Sequence, residues 1–231
     1  RTYATRAAER MQTSMERLAS GKRINSAADD AAGLAVANKM ESQLSGIKMA
    51  IRNSQDGISL LQTADGALVE ASKMVQRMRE LTVQAASGTV NSTDQTALNT
   101  EFRALEDQIH LISTNTEWNG QKLLNGELGA VNFQVGANAS QTISITFGDL
   151  NTDGDASADA TNADNKGLMV ALDSAAGTVS SGDGTATNDL NDVVITSGAT
   201  HSTVLTYLDN ALTRLNAHRA TLGATLNRLE Y

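Results

Sequence analysis

The chain has 231 residues, 18 Lys plus Arg against 26 Asp plus Glu, a formal net charge of −8, aromatics at only 3%, and neither cysteine nor proline. Without cysteine there are no disulfides, thiolate metal sites or cysteine nucleophiles, and without proline no helix suffers the lost donor and ring clash that break helix interiors. The charge is local: nine Asp and Lys166 between Asp149 and Thr200 carry the whole net −8, and the remainder, with 17 basic and 17 acidic residues, offers no basic patch for nucleic acid.

Residues 1–19 fit a helix with Met11, Met15 and Leu18 at helical spacing, ended by Ser20-Gly21. A polar loop, Lys22 to Asp30, follows, and Asp29 or Asp30 is placed to cap the next helix. From about Ala31 to Ala86 the glycines are isolated (Gly33, Gly46, Gly57, Gly66), and each is tolerable at ~1 kcal/mol. One apolar stripe runs Leu44, Ile47, Ile51, Ile58, Leu61, Leu68, Val75. A second, one position over, runs Leu60, Ala64, Ala67, Ala71, Met74, Met78, Leu81, Ala85. Two adjacent stripes make a face wide enough to meet more than one neighbour. Such a helix would be a rod of roughly 84 Å, suited to an elongated bundle or an assembly.

Gly88 stops this helix, and Asn91-Ser92-Thr93-Asp94-Gln95 restarts the next, with Ser92 and Gln95 at capping-box spacing. Leu98, Phe102, Leu105, Ile109 and Ile112 keep the helical period to about Asn115, antiparallel to the first helix if the link is short. Asn119-Gly120 is a turn signal. Val131, Phe133, Val135 and Ile143, Ile145, Phe147 alternate on either side of a Gly136–Ser140 loop, which predicts a β-hairpin at about 131–147. Asp149 to Thr200 is rich in Gly, Ser, Thr, Asn, Asp and Ala and reads as a small appended domain or a loose excursion with a few short strands. The last segment carries Leu205, Leu208, Leu212, Leu215, Leu222, Leu226 and Leu229 in one register, interrupted by Arg219, which is either a specificity charge at a subunit contact or a snorkelling side chain.

The fold class is therefore mainly α: an elongated antiparallel helical bundle or coiled coil with a β-hairpin and a small irregular or β-rich variable domain. Residues 1–148 with 201–231 are expected to form the helical core, its first and last helices packed together. Residues 149–200 are expected to project as the acidic, variable domain. No apolar run approaches the ~20 residues of a membrane span, and no signal peptide is visible. The start at Arg1 without methionine and the unbroken leucine register at Tyr231 lead us to expect a chain trimmed at both ends.

Six motifs carry a family resemblance. They are the run from Glu16 to Ala35, with Glu16-Arg17-Leu18-Ala19-Ser20-Gly21-Lys22-Arg23-Ile24-Asn25-Ser26-Ala27-Ala28-Asp29-Asp30 at its head, then Asp56 to Leu68, then Gln76-Arg77-Met78-Arg79-Glu80-Leu81-Thr82-Val83-Gln84-Ala85, then Thr116-Glu117-Trp118-Asn119-Gly120-Gln121-Lys122-Leu123-Leu124, then Phe133-Gln134-Val135-Gly136-Ala137-Asn138, and Arg219 to Glu230. In this order they resemble bacterial flagellins over roughly 1–148 and 201–231, and the central segment resembles nothing nameable, as suits a family with a hypervariable middle. The resemblance implies a structural subunit of the flagellar filament, self-assembling through its helical core. It also implies export without a cleaved signal peptide to the extracellular flagellum or cell surface. Its partners would be other flagellin subunits, a flagellar export chaperone and a cap protein. A hook–filament junction protein, or a cell-surface homologue holding glycans or polysaccharide, are the alternatives. A Toll-like innate immune receptor is a further implied partner, its contact motif mapping onto Arg77, Glu80, Leu81, Gln84 and Glu101; the competing reading is a solvated face or subunit contact.

Other candidate chemistry has plainer readings. Asp149-x-Asn151-x-Asp153-Gly154 matches half of a calcium loop, with Asp155 and Asp159 as further oxygens, but Ala160 stands where the bidentate Glu belongs. A solvated acidic turn is the preferred reading and calcium the alternative; no other cofactor is implied. His110, His201 and His218 form no zinc pattern, and neither a Gly-x-Ser-x-Gly elbow nor a phosphate-binding loop occurs. The expectation is a protein that is not an enzyme.

Overall fold

A computed structural model of the chain describes residues 2–148, 150, 179–180, 186–187, 195 and 201–230. It is mainly helical, as expected. The elements are α1 (Thr2–Ser20), α2 (Ala31–Ala85), α3 (Ser92–Asn115), β1 (Glu117–Trp118), β2 (Gln121–Lys122), β3 (Ala130–Gln134), β4 (Thr142–Thr146), β5 (Val179–Ser180), β6 (Ala186–Thr187) and α4 (His201–Glu230). Among the described residues the strands pair as β1–β2, β3–β4 and β5–β6.

Local chemistry sets the boundaries. α1 stops where Gly21, at φ +66°, turns left-handed and its N–H bonds to the Arg17 carbonyl at 2.9 Å. Of the two candidate caps, Asp30 serves α2, accepting the Gly33 N–H at 2.9 Å. Asp29 instead ties its own loop, accepting the Asn25 and Ser26 N–H groups at 3.2 Å. Those N–H bonds, with Arg17 nearby, hold its carboxyl below the usual range. At α3 the expected capping box gives way to Asn91, whose Oδ1 accepts from both Thr93 and Asp94 at 2.9 Å. One side chain thus meets two orphan donors. Gln95 is released to donate to the Ala85 carbonyl at 3.1 Å, at the end of α2. Between β1 and β2, Asn119 at φ 50° and Gly120 at φ 78° make the tight turn that their sequence signals.

Two compact units emerge: residues 1–52 with 134–141, and residues 53–133 with 142–231. In the first, no residue of α1 is buried, and among residues 31–52 only Ala50 is. Gly46 is a seat for the hairpin loop: a Cβ there would lie 2.9 Å from the Ala137 Cβ and 3.2 Å from its Cα.

The second unit is a three-helix bundle. Arg77 meets Glu101 and Ala85 meets Gln95, so α3 runs antiparallel to α2. Arg79 meets Asp209 and Asp65 meets Arg219, so α4 does too. Both α2 stripes are needed, because each flank has a partner. Leu61, Leu68 and Val75 from one stripe and Leu60, Ala64, Ala71, Met78, Leu81 and Ala85 from the other are all buried. They pack with Phe102 and Ile109 of α3 and with Val204, Tyr207, Leu208, Ala211, Leu215 and Leu222 of α4. Burying each large apolar side chain contributes about 1.5–3 kcal/mol. Ile143, Ile145 and Phe147 are buried, giving the alternation expected for β4. Phe133 of β3 lies over Gly57, where an added Cβ would meet its ring at 3.0 Å.

The chain leaves and re-enters this bundle at pinned points. Leu150 donates its N–H to the Leu124 carbonyl at 2.8 Å, and that carbonyl also accepts from the Ser113 hydroxyl at 2.9 Å. Ile195 donates to Asn99 Oδ1 at 3.1 Å, and its carbonyl lies 2.8 Å from the buried His201 Nε2. Leu150 and Ile195 are themselves buried, although both lie within the stretch expected to project.

Candidate functional site

Two surfaces stand out, one in each unit. The first is apolar and faces solvent. On α1 it comprises Met11, Met15 and Leu18, and on α2 Val36, Met40, Leu44, Ile47 and Ile51, each at least 47% exposed. At ~100° per residue the α2 set falls within about 80° of arc, so it is one stripe and not a scatter. It continues the stripe that is buried from Leu61 onward. A coherent exposed apolar stripe of this extent marks an interaction surface. The sequence found the stripe but not where its cover stops.

The second surface is polar and lies where α2 faces α3. The Arg77 guanidinium donates to Glu101 Oε1 from Nε at 2.9 Å and from Nη2 at 2.8 Å, and from Nη1 to Glu80 Oε2 at 3.0 Å. Those bonds, Glu101 first, raise the Arg77 pKa further above its ordinary value, so the group is a fixed cation. Gln84, one turn on, is exposed. Leu81 is completely buried and belongs to the bundle core beneath the patch. The structure thus joins Arg77, Glu80 and Glu101 and places Leu81 under them.

Sequence reasoning missed Glu106, 3% exposed on the inner face of α3, with Arg103 Nη1 at 3.5 Å from its Oε2. Its place one turn from Phe102 on the helical period was the available signal. Arg219 pairs inside the chain with Asp65 at 2.8 Å, so its interruption of the leucine register answers an acid on α2. The calcium candidates Asp149, Asn151, Asp153, Asp155 and Asp159 lie outside the described residues. Among the described residues no group of three or more His, Asp or Glu could hold a metal ion.

The comparisons fit this architecture. A model of the bacterial flagellin N-terminal helical region matches residues 1–128. Flagellin of Bacillus subtilis is 42% identical over 232 residues, covering 95% of this chain and 73% of its own length. Polar flagellin F of Vibrio parahaemolyticus is 47% identical over 152 residues, covering 66% of this chain and 40% of its own, so the chain spans about two fifths of that relative. The crystal structure of Bacillus cereus flagellin aligns with a TM-score of 0.57 at 29% identity, over 78% of this chain and 85% of that one.

Proposed function

The chain belongs to the bacterial flagellin family, and from that premise we propose that it is a structural, non-enzymatic subunit of the flagellar filament. It assembles with copies of itself through its helical core. What carries this reading is the family membership itself; the exposed stripe Val36, Met40, Leu44, Ile47 and Ile51, with Met11, Met15 and Leu18 of α1, adds apolar surface that the rest of the subunit or a neighbouring copy would cover. Covering the five α2 side chains alone would supply on the order of 10 kcal/mol before the entropy of association is subtracted. A stripe on one subunit meeting a different surface on the next is a heterologous contact, which generates a helical filament instead of a closed ring.

The role brings its own partners and place: other flagellin subunits, an export chaperone, a cap protein and the extracellular filament. Among the described residues no helix is long and apolar enough to cross a membrane. Residues 149–200 are the variable domain carried on the core. Support for that comes from the pinned exit at Leu150 and return at Ile195, which tie the segment to the bundle at both ends.

The test is assembly. Ile47→Ser and Ile51→Ser are introduced into the flagellin of cells whose gene carries this sequence, and filaments are scored by electron microscopy. Loss of filaments with helical content retained in the secreted monomer supports the reading. Normal filaments from the double variant overturn it.

The Arg77, Glu80, Gln84 and Glu101 surface is the proposed contact for a Toll-like receptor, favoured by its exposure and by the guanidinium fork that fixes the acids. Arg77→Ala should weaken binding to the receptor ectodomain at least ~10-fold while leaving the fold intact. Unchanged affinity would leave the patch a solvated face.

A further inference from the structure

We propose that His218 is a proton-operated latch on the point where the chain leaves the bundle: the neutral ring seats Gly148, and the protonated ring quits its cavity and frees the exit at Leu150. This is a property of the single subunit and stands apart from assembly.

The packing puts the ring at that point. His218 lies three residues after Leu215 and four before Leu222, both buried, so α4 turns it toward the bundle. The polar edge of its ring faces the backbone of Gly148, where a Cβ would lie 2.7 Å from Cε1, 2.8 Å from Nε2 and 3.0 Å from Nδ1. The chain passes this close only because glycine carries no side chain. Leu68, Leu124, Thr146, Phe147 and Leu222 complete the cavity. Two residues beyond Gly148, the Leu150 N–H is held by the Leu124 carbonyl at 2.8 Å. Leu124 thus both lines the cavity and holds the exit. All these residues belong to one compact unit.

Electrostatics set the direction of the switch. On α4 itself, Arg214 repels an imidazolium at His218. On α2, the Asp65 carboxylate is already engaged by Arg219 at 2.8 Å. Leu124 and the hairpin end from Thr146 to Gly148 bring no charge, and Asp149 lies outside the described residues. Apart from the Thr146 hydroxyl, the side chains around the ring are apolar, so a charge there is better served by water. Burial first, and Arg214 second, hold the His218 pKa below the ordinary histidine value. A ring released into water regains that value, about 6.5. The open form therefore binds the proton more tightly, and opening rises as the pH falls through that range, by at most about tenfold per pH unit.

The test reads the exit itself. Amide hydrogen exchange is followed in the full-length monomer from pH 7 to pH 5, corrected for the intrinsic pH dependence of exchange, beside an NMR titration of the His218 ring. Opening at Leu150 should increase at least about fivefold over that range. It should be insensitive to low urea, as a local opening is, whereas amides at 61–85 should exchange with the urea dependence of whole unfolding. His218→Phe fills the cavity and takes no proton, and should keep the exit closed throughout. Gly148→Ala, whose methyl displaces the ring, should open it already at pH 7. If His218→Phe misfolds, as circular dichroism would show, the parent chain decides alone: Leu150 must open over the pH range in which His218 titrates. A Leu150 amide that ignores pH, or that keeps its acid response in folded His218→Phe, overturns the proposal. So does exchange at Leu150 with the urea dependence of the core, which would leave His218 a determinant of global stability only. Loss of the acid response in Asp149→Asn, with His218 in place, would assign the titration to that carboxylate and overturn it equally.

Discussion

Arg219 of α4 donates from Nε to the Asp65 carboxylate of α2 at 2.8 Å, joining residues 154 apart in sequence. Each side chain is about a third exposed (36% and 35%), and Arg219 stands in the leucine register between Leu215 and Leu222. A charge in one seam answered by its opposite in the facing seam fixes which turns of the two helices meet. A double-mutant cycle on Arg219→Ala and Asp65→Ala, followed by urea denaturation, should give a coupling of about 0.5–1 kcal/mol. Replacing both by Leu should be neutral or stabilising. A coupling indistinguishable from zero would remove the pair's role in register.

Met78 and Met40 occupy the same long helix under opposite conditions, one fully buried and one 63% exposed. Met78→Ala should destabilise the chain by about 2–5 kcal/mol, through lost transfer energy and the cavity left behind. Met40→Ala should stay within about 0.5 kcal/mol in the free subunit. Thermal unfolding of the two variants decides; equal costs would contradict the burial assigned to the bundle.

Gly46→Ala tests whether that glycine is a seat. Helix propensity alone would make the change favourable by ~1 kcal/mol. The new methyl would sit 2.9 Å from the Ala137 Cβ and 3.2 Å from its Cα, and backbone yields less readily than a side-chain tip. The crowding should cost about 1–3 kcal/mol and outweigh the gain. Hydrogen exchange should accelerate at residues 134–141 and stay unchanged at 61–85. Unaltered exchange in the loop would mean that it does not rest on Gly46.

His218 supplies a pH dependence. Its ring lies against Gly148 in a small cavity lined by Leu68, Leu124, Thr146, Phe147 and Leu222. Burial, and then the nearby Arg214 charge, push its pKa below the ordinary histidine value. The unfolded chain therefore takes up the proton first. Stability should fall as the pH drops through about 6.5 and level off once the folded-state pKa is passed. His218→Gln should flatten that part of the profile, as read from urea midpoints between pH 7 and pH 5. A wild-type profile in the variant would assign the acid sensitivity elsewhere.

Much of the fold was legible because its signals are local. Ser20-Gly21, Asn119-Gly120 and the leucine period of α4 each act within a few residues, and each marks the element found there. Asn91 outcompeted the expected Ser92–Gln95 box because one side-chain oxygen reaches two N–H groups at once. The candidate patch was legible only through family resemblance. No spacing rule relates Arg77 to Glu101 across the turn between helices, and Leu81, carried along with them, proved to be core.

By itself the sequence determined where the helices begin and end, that one face of α2 is wide, and that the chain can run through α2 without a proline break. Those outcomes follow from backbone preference and apolar period, which neighbouring residues fix among themselves. Only the tertiary structure decided that the α2 stripe is covered from Leu61 onward and left open from Val36 to Ile51. It also decided that Gly46 and Gly57 are seats for the hairpin, and that Arg219 answers Asp65. These depend on segments far apart in the chain arriving at one place, and the 3.6-residue period is identical on a helix face whether another helix covers it or water does.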